Sequence, residues 1–265
     1  MSAAGQALRQ FRFTNKAFWR NPASAFFTFA FPLMFLVIFT SLLGGGETVV
    51  NRVAIDTATY FVGAMAAFGV VSACFTNIAI QTTFNRDAGI LKRLRGTPLP
   101  AGAYMGARVL HAMVVGAILV VITLLFGMLA YDSPLPTGTP LLQFIATFLV
   151  GSLSFAALAL ALTAVIPNAD AAPPIVNAAI LPLLFLSGIF IPMGDDAPAW
   201  MTTTADIFPV KHFADAMRAG FLGNLTAPGG GRALSFDWMD VAIVAGWGLV
   251  GLVLAARFFT WEPRR

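Results

Sequence analysis

Side chains able to do chemistry are scarce in this sequence and lie far apart. Cysteine occurs once, at Cys74, and histidine twice, at His111 and His212. A lone thiol inside an apolar run forms no disulfide within the chain and packs as a small apolar group. No His, Cys and Glu fall together at metal-ligand spacing. No G-x-x-x-x-G-K-[ST] occurs, and Pro228-Gly-Gly-Gly231 is not followed by the Lys-Ser/Thr of a phosphate loop. His111 alone suits an interface or a hydrogen-bonded position better than a proton relay. The expectation is a chain that is no enzyme and binds no cofactor or metal of its own.

Charge is concentrated in two places instead. Arg86, Lys92, Arg93 and Arg95 place four of the sixteen Lys and Arg within ten residues, between two long apolar runs. Read as a helix, 86–95 puts Ile90, Leu91 and Leu94 on one face, with Lys92 and Arg93 opposite. Asp87 falls in its first turn, where a carboxylate complements the helix dipole, and Gly96 and Pro98 close it. The second place carries Asp206, Lys211, His212, Asp215 and Arg218 at helical intervals. There Lys211–Asp215 (i,i+4) and Asp215–Arg218 (i,i+3) are able to pair.

The elements that position these groups must be membrane helices. Apolar residues make up 58% of the chain, charged residues 11%, and mean hydropathy is +0.81, against about 45–50% and about 25% in soluble domains. The apolar signal comes in long unbroken runs, which excludes an outer-membrane barrel. Residues 4–20 form an interfacial helix, with Arg9, Arg12, Lys16 and Arg20 in a stripe beside an apolar side. The basic residues run throughout this segment, unlike a signal peptide. Six spans are expected, at 24–43, 59–80, 108–130, 141–166, 173–191 and 241–259. A short polar loop follows the first. Phe27, Phe31, Phe35 and Phe39 recur at four-residue spacing, as a packing stripe or, more sharply, as a wall of an apolar substrate path. In the 192–240 region, 199–208 and 209–222 read as two short helices, re-entrant or interfacial, the second with Pro209 in its first turn.

Six spans put both termini on one side. That side receives twelve basic residues: Arg9, Arg12, Lys16, Arg20, Arg86, Lys92, Arg93, Arg95, Arg108, Arg257, Arg264 and Arg265. The other receives Arg52, Lys211, Arg218 and Arg232, with nine of the twelve acids. The basic side is therefore expected in the cytoplasm, and 192–240 outside. The spans lack central Asp, Glu, Lys or Arg, with only Arg257 near the inner end of the sixth, which counts against an ion-coupled transporter. Ser187-Gly188 lacks a preceding glycine and lies at the surface opposite His111, so no intramembrane serine protease is assembled.

Two motifs then carry a resemblance. The segment from Arg86 to Leu99, including Asp87, Gly89, Leu91, Arg93, Leu94, Thr97 and Pro98, resembles the acid-Gly-x-Leu-[KR]-x-Leu-x-x-[ST]-Pro stretch after the second span of ABC-2 type exporter permeases. The pattern Leu186-Ser187-Gly188…Pro192, then Pro209…His212…Arg218, is similar to that family's outer L-S-G-x-x-x-P…P-x-x-[HY]-x5-R signature. Val210 departs from it where a larger apolar residue is common. The resemblance covers essentially the whole chain and is nearest the branch that includes daunorubicin-type drug-resistance permeases.

The resemblance implies an all-α integral membrane permease in a cell (inner) membrane, working with a second copy or a paralogous permease. Two cytosolic ATPases, holding ATP and Mg, would supply the energy. It makes 86–98 a coupling helix docked on the ATPase, with Ile90, Leu91 and Leu94 as apolar anchors and Arg93 and Arg95 as polar contacts. The Phe-rich, charge-free spans favour an apolar or amphipathic, drug-like or lipid-like cargo. A sugar-polymer exporter would show more Tyr and Trp; Tyr occurs only at Tyr60, Tyr104 and Tyr131. A stand-alone secondary transporter is the alternative from another class. Membrane lipids are expected partners and nucleic acid is not.

Overall fold

The computed structural model describes residues 3–43, 46–50, 53–97, 99–193, 197–227, 231–232 and 234–262. Arg52, Pro98, Arg264 and Arg265, which enter the sequence reading above, lie outside the described residues.

The chain is nearly all helical. Helix α1 (Ala3–Trp19) presents Arg9, Arg12 and Lys16 on its exposed side. It ends where Asn21 accepts the Ser24 N–H at 3.2 Å, starting α2 (Pro22–Leu43) with proline in the first turn. The expected polar loop after α2 contains a small hairpin, β1 (Glu47–Val50) paired antiparallel with β2 (Val53–Asp56). The β-branched residues that dominate both segments favour extended backbone.

Asp56 then caps the central element, accepting the Thr59 N–H at 2.9 Å. This element is one continuous helix over 57–87: α3 (Thr57–Val71), a π-turn (Ser72–Thr76) and α4 (Asn77–Asp87). Every residue of α3 is buried. The second span thus runs beyond its expected end at residue 80. Gly89, at φ +70, ends that run and begins the short α5 (Ile90–Arg95), because the left-handed conformation carries no penalty without a Cβ.

Four further long or apolar helices follow: α6 (Ala101–Tyr131), α7 (Gly138–Leu162), α8 (Ala172–Leu186) and α11 (Trp238–Phe258). Between the last two lie α9 (Ala199–Ile207) and α10 (Pro209–Leu222), with a two-residue hairpin, β3 (Thr226–Ala227) and β4 (Gly231–Arg232). The third span starts earlier than the expected residue 108, and the fourth stops before 166, where the Thr163 hydroxyl donates back to the Leu160 carbonyl. Helix α11 lies close on α7; a Cβ at Gly251 would fall 2.7 Å from the Leu158 nitrogen. Small residues permit such backbone approach between membrane helices.

Among the described residues, five helices are long and apolar enough to cross a membrane: 22–43, 57–87, 101–131, 138–162 and 238–258. The fifth expected span, 173–191, is instead the 15-residue α8, about 22 Å long, which stops at Leu186. Gly188 at φ +71 turns the chain there.

Contacts at the helix ends define two ends of the bundle. At one, the start of α6 meets α1 through Phe18 and His111 (centroids 5.3 Å) and meets the segment after α11 through Tyr104 and Trp261 (5.9 Å). At the other, Thr59 and Ser133 hydroxyls lie 3.0 Å apart. Helix α8 runs from the first end, beside Arg86, to the second, beside Tyr60.

Candidate functional site

The basic segment is not one helix. Arg86 and Asp87 are the last turn of α4, and the break at Gly89 separates them from α5. Arg86 is 2% exposed. Its Nη1 donates to the Thr163 carbonyl (2.8 Å), and its Nη2 to the carbonyls of Ile166 (2.6 Å) and Pro167 (3.4 Å). Asp87 accepts the Ala169 N–H. Both side chains therefore hold the turn between α7 and α8. The expectation that Asp87 complements the dipole of a helix beginning at Arg86 is corrected accordingly.

Helix α5 also turns its apolar residues differently from expectation. Leu91 is fully buried, so it is not presented to a partner; it fixes α5 to the chain's own interior. Ile90 and Leu94 face a cavity bordered by α1, α4 and α6. The outward side consists of Lys92, Arg93 and Arg95, with Ile90 also partly open to the surface at 39% exposure. Arg93 donates to the carbonyls of Gly89 (3.4 Å) and Ala88 (3.3 Å), and Arg95 lies 3.7 Å from Glu262. The Thr97 hydroxyl donates to the Leu94 carbonyl at 2.6 Å, closing the helix end. What this segment presents is a cationic surface on a firmly held base.

The second motif, Ser187-Gly188 with Pro209 to Arg218, converges on Arg218. Arg218 is 5% exposed, and its Nη1 donates to the Tyr60 hydroxyl (2.7 Å) and the Gly188 carbonyl (2.8 Å). Nη2 donates to the Ser187 carbonyl at 3.2 Å and to the Asp215 carboxylate. The Tyr60 hydroxyl donates in turn to the Gly188 carbonyl at 2.5 Å. Burial alone would disfavour the charged guanidinium, but Tyr60 and Asp215 outweigh it and hold the Arg218 pKa above its ordinary value. Gly188 is needed twice: for its positive φ, and because a Cβ would sit 3.1 Å from Arg218 Nη1.

The other signature residues sit around this clamp. Pro209 is buried at the start of α10 and Pro192 is half-buried. His212 is held by two acceptors, with Nδ1 2.7 Å from Asp240 Oδ1 and Nε2 2.9 Å from the Asp206 carbonyl. Burial alone would lower its pKa, but Asp240 and that carbonyl outweigh it, so the pKa lies above the ordinary value. Two acceptors satisfy both ring nitrogens only when each carries a proton. Lys211 pairs with Asp206 rather than Asp215, which is taken by Arg218.

The phenylalanine stripe divides along α2. Phe27 and Phe31 are exposed, while Phe35 and Phe39 pack against Phe190 (5.6 and 5.9 Å), and Phe39 stacks on Phe61 at 5.4 Å. The packing reading therefore describes the half toward Phe39, and the half toward Phe27 lines a groove against α4. Two features escaped the sequence reading. Tyr60, the aromatic partner of Arg218, has no signal in its neighbourhood. Asn77, Gln81 and Asn85 recur every four residues at the end of an apolar run, and that periodicity was available.

An apolar helical bundle of this length, with its ionic groups gathered at its two ends, is a multi-pass integral membrane protein. The chain belongs to the ABC-2 type transporter family, whose profile matches residues 6–222. It is similar to the daunorubicin resistance ABC transporter permease protein DrrB1 of Streptomyces coeruleorubidus, 30% identical over 193 residues covering 71% of this chain. The matched region spans 64% of the length of that relative.

Proposed function

We propose that the chain is the membrane subunit of an ATP-driven exporter, moving an apolar or amphipathic, drug-like or lipid-like molecule outward. It pairs with a second permease and with two cytosolic ABC ATPases, which hold the ATP and Mg. Six crossings, with α8 as the fifth, put both termini in the cytoplasm of an inner-membrane protein. The arrangement of ten basic residues, among those described, toward the end of the bundle that carries α1 and α5 supports that orientation.

The observation that carries the coupling is the Arg86 anchorage. Helix α5 follows directly on a helix end bonded to three carbonyls of the α7–α8 turn. A push on the cationic face of α5 is therefore delivered to α4, α7 and α8 together. Lys92, Arg93 and Arg95 are the surface an ATPase would meet, and a carboxylate-bearing groove would complement them.

Co-purification with a candidate ABC ATPase, followed by efflux of an amphipathic dye from reconstituted vesicles, tests the proposal. Efflux should need both the ATPase and ATP. Efflux that survives ATP depletion, with no ATPase retained, would identify a stand-alone transporter and overturn it.

A further inference from the structure

Between α1, α4, α5 and α6 lies a cavity of about 340 Å³, within the size range of small-ligand sites. Among the described residues, its one fully charged lining residue is Arg108, and no carboxylate lines it. Arg108 is 9% exposed, yet none of the ion pairs among the described residues includes it. Its Nη1 lies 3.4 Å from the Tyr104 hydroxyl, and its guanidinium stands over that ring at 5.8 Å. Its Nε has no hydrogen-bond partner. His111, equally buried, has an unpartnered Nδ1 and is covered from α1 by Phe18.

A buried guanidinium that, among the described residues, is held only by one neutral hydroxyl lacks the compensation that buried charges elsewhere in this chain receive. Arg86 has three carbonyls, and Arg218 has a carboxylate, two carbonyls and a phenol. An anion is the kind of partner that would compensate Arg108. A second cavity, about 310 Å³, adjoins the first and shares Ser24, Asn77 and Gln81 with it. Its remaining walls include Phe27, Phe31 and Ile80, and the two phenylalanines are exposed on α2. A charged chamber thus leads into an apolar groove that opens to the side.

We infer that these joined cavities bind an anionic amphiphile, its phosphate or carboxylate headgroup on Arg108 and its hydrocarbon tail along the Phe27–Phe31 side of α2. His111, carrying its proton on Nδ1, adds a second donor to the headgroup, and the amides of Asn77, Gln81 and Asn85 surround it. Helix α1 is the cover of the headgroup chamber. The binding requires neither transport nor an ATPase, so it stands or falls apart from the proposed function.

The test uses the purified full chain, with native mass spectrometry comparing retained phosphatidylglycerol and phosphatidylcholine of equal chain length. The wild-type chain should retain the anionic lipid about tenfold over the zwitterionic one, the ratio that one charge-assisted hydrogen bond of about 1.4 kcal/mol supplies. Arg108→Gln should abolish that preference, whereas Arg12→Gln, which removes an exposed cation from α1, should keep it. Ala17→Trp fills the chamber mouth from α1 and leaves Arg108 in place; it should lose the lipid even where Arg108→Gln fails to fold. Unchanged preference in either Arg108→Gln or Ala17→Trp overturns the inference. Inorganic phosphate separates the two sources of the anion: failure to displace the lipid at equal concentration supports an amphiphile, and full displacement overturns it in favour of a free-anion site.

Discussion

Arg86 and Ile166 are 80 residues apart in the chain, and the guanidinium of one donates to the carbonyl of the other at 2.6 Å. That bond closes the end of the central helix onto the turn between α7 and α8. Arg86→Leu would leave the Thr163, Ile166 and Pro167 carbonyls without their donor, at a cost on the order of 3 kcal/mol. Thermal unfolding in detergent should show a clear drop in Tm. An unchanged Tm would remove Arg86 from the account of this end of the bundle.

Gly188→Ala forces a Cβ onto a residue at φ +71 and to within 3.1 Å of Arg218 Nη1. The left-handed conformation alone costs roughly 1–2 kcal/mol for a residue with a Cβ, and displacement of the guanidinium adds to it. The variant should melt earlier than wild type. The same substitution at Gly246, where a Cβ meets nothing within 4 Å, should leave Tm nearly unchanged. Equal melting temperatures in the two variants would contradict the role given to Gly188.

Tyr60→Phe removes one acceptor from the buried Arg218 guanidinium and the donor to the Gly188 carbonyl. A buried group left without its partner costs about 1–3 kcal/mol, so Tm should fall clearly. Ser187→Ala should cost less than about 1 kcal/mol, because Ser187 serves Arg218 through its backbone carbonyl and its hydroxyl donates only to Leu184. Equal losses in the two variants would contradict this division of roles.

The His212 pKa is raised in the folded protein, above the ordinary 6.5. Its pairing with Asp240 therefore contributes fully to stability below about pH 6.5, and the contribution is lost as pH rises through the folded value. Melting curves taken from pH 5.5 to about pH 9 should show stability declining across that window. Asp240→Asn should flatten the decline; an identical slope in that variant would show that another group is responsible.

At α5, a surface role and a packing role predict different failures. Arg93→Glu together with Arg95→Glu should reduce ATPase retention at least about tenfold by reversing the sign of the contact surface, with Tm nearly unchanged. Leu91→Asp should instead lower Tm, because it buries an unpaired carboxylate inside the chain. Full ATPase retention by the double variant would exclude the cationic face as the contact.

The motif around Arg218 was legible in the sequence because proline and glycine restrict the backbone locally. Pro209 starts α10 and Gly188 turns the chain, so Ser187, Gly188 and Arg218 arrive together. The segment from Arg86 to Thr97 was less legible. Periodicity identifies which side chains share a face, but not which neighbour that face meets. Leu91 thus reads as an anchor for a partner while it packs inside its own chain, and Arg86 reads as surface charge while it is almost fully buried. The break at Gly89 was present in the sequence, yet glycine alone does not distinguish a close approach from a left-handed turn. Lys211 chose Asp206 because Arg218 had already engaged Asp215, a competition that pairwise spacing does not contain.

The π-turn at Ser72–Thr76 accommodates one more residue than an α-helical turn would. Its consequence is a phase offset. Removing one residue there would rotate 77–87 by about 100° relative to 57–71, while Tyr60 remained engaged with Gly188. Arg86 would swing away from its three carbonyls, and Asn77, Gln81 and Asn85 away from the chamber they border. The two ends of the bundle are thus keyed to each other like teeth on a shaft, and the extra residue sets the timing between them.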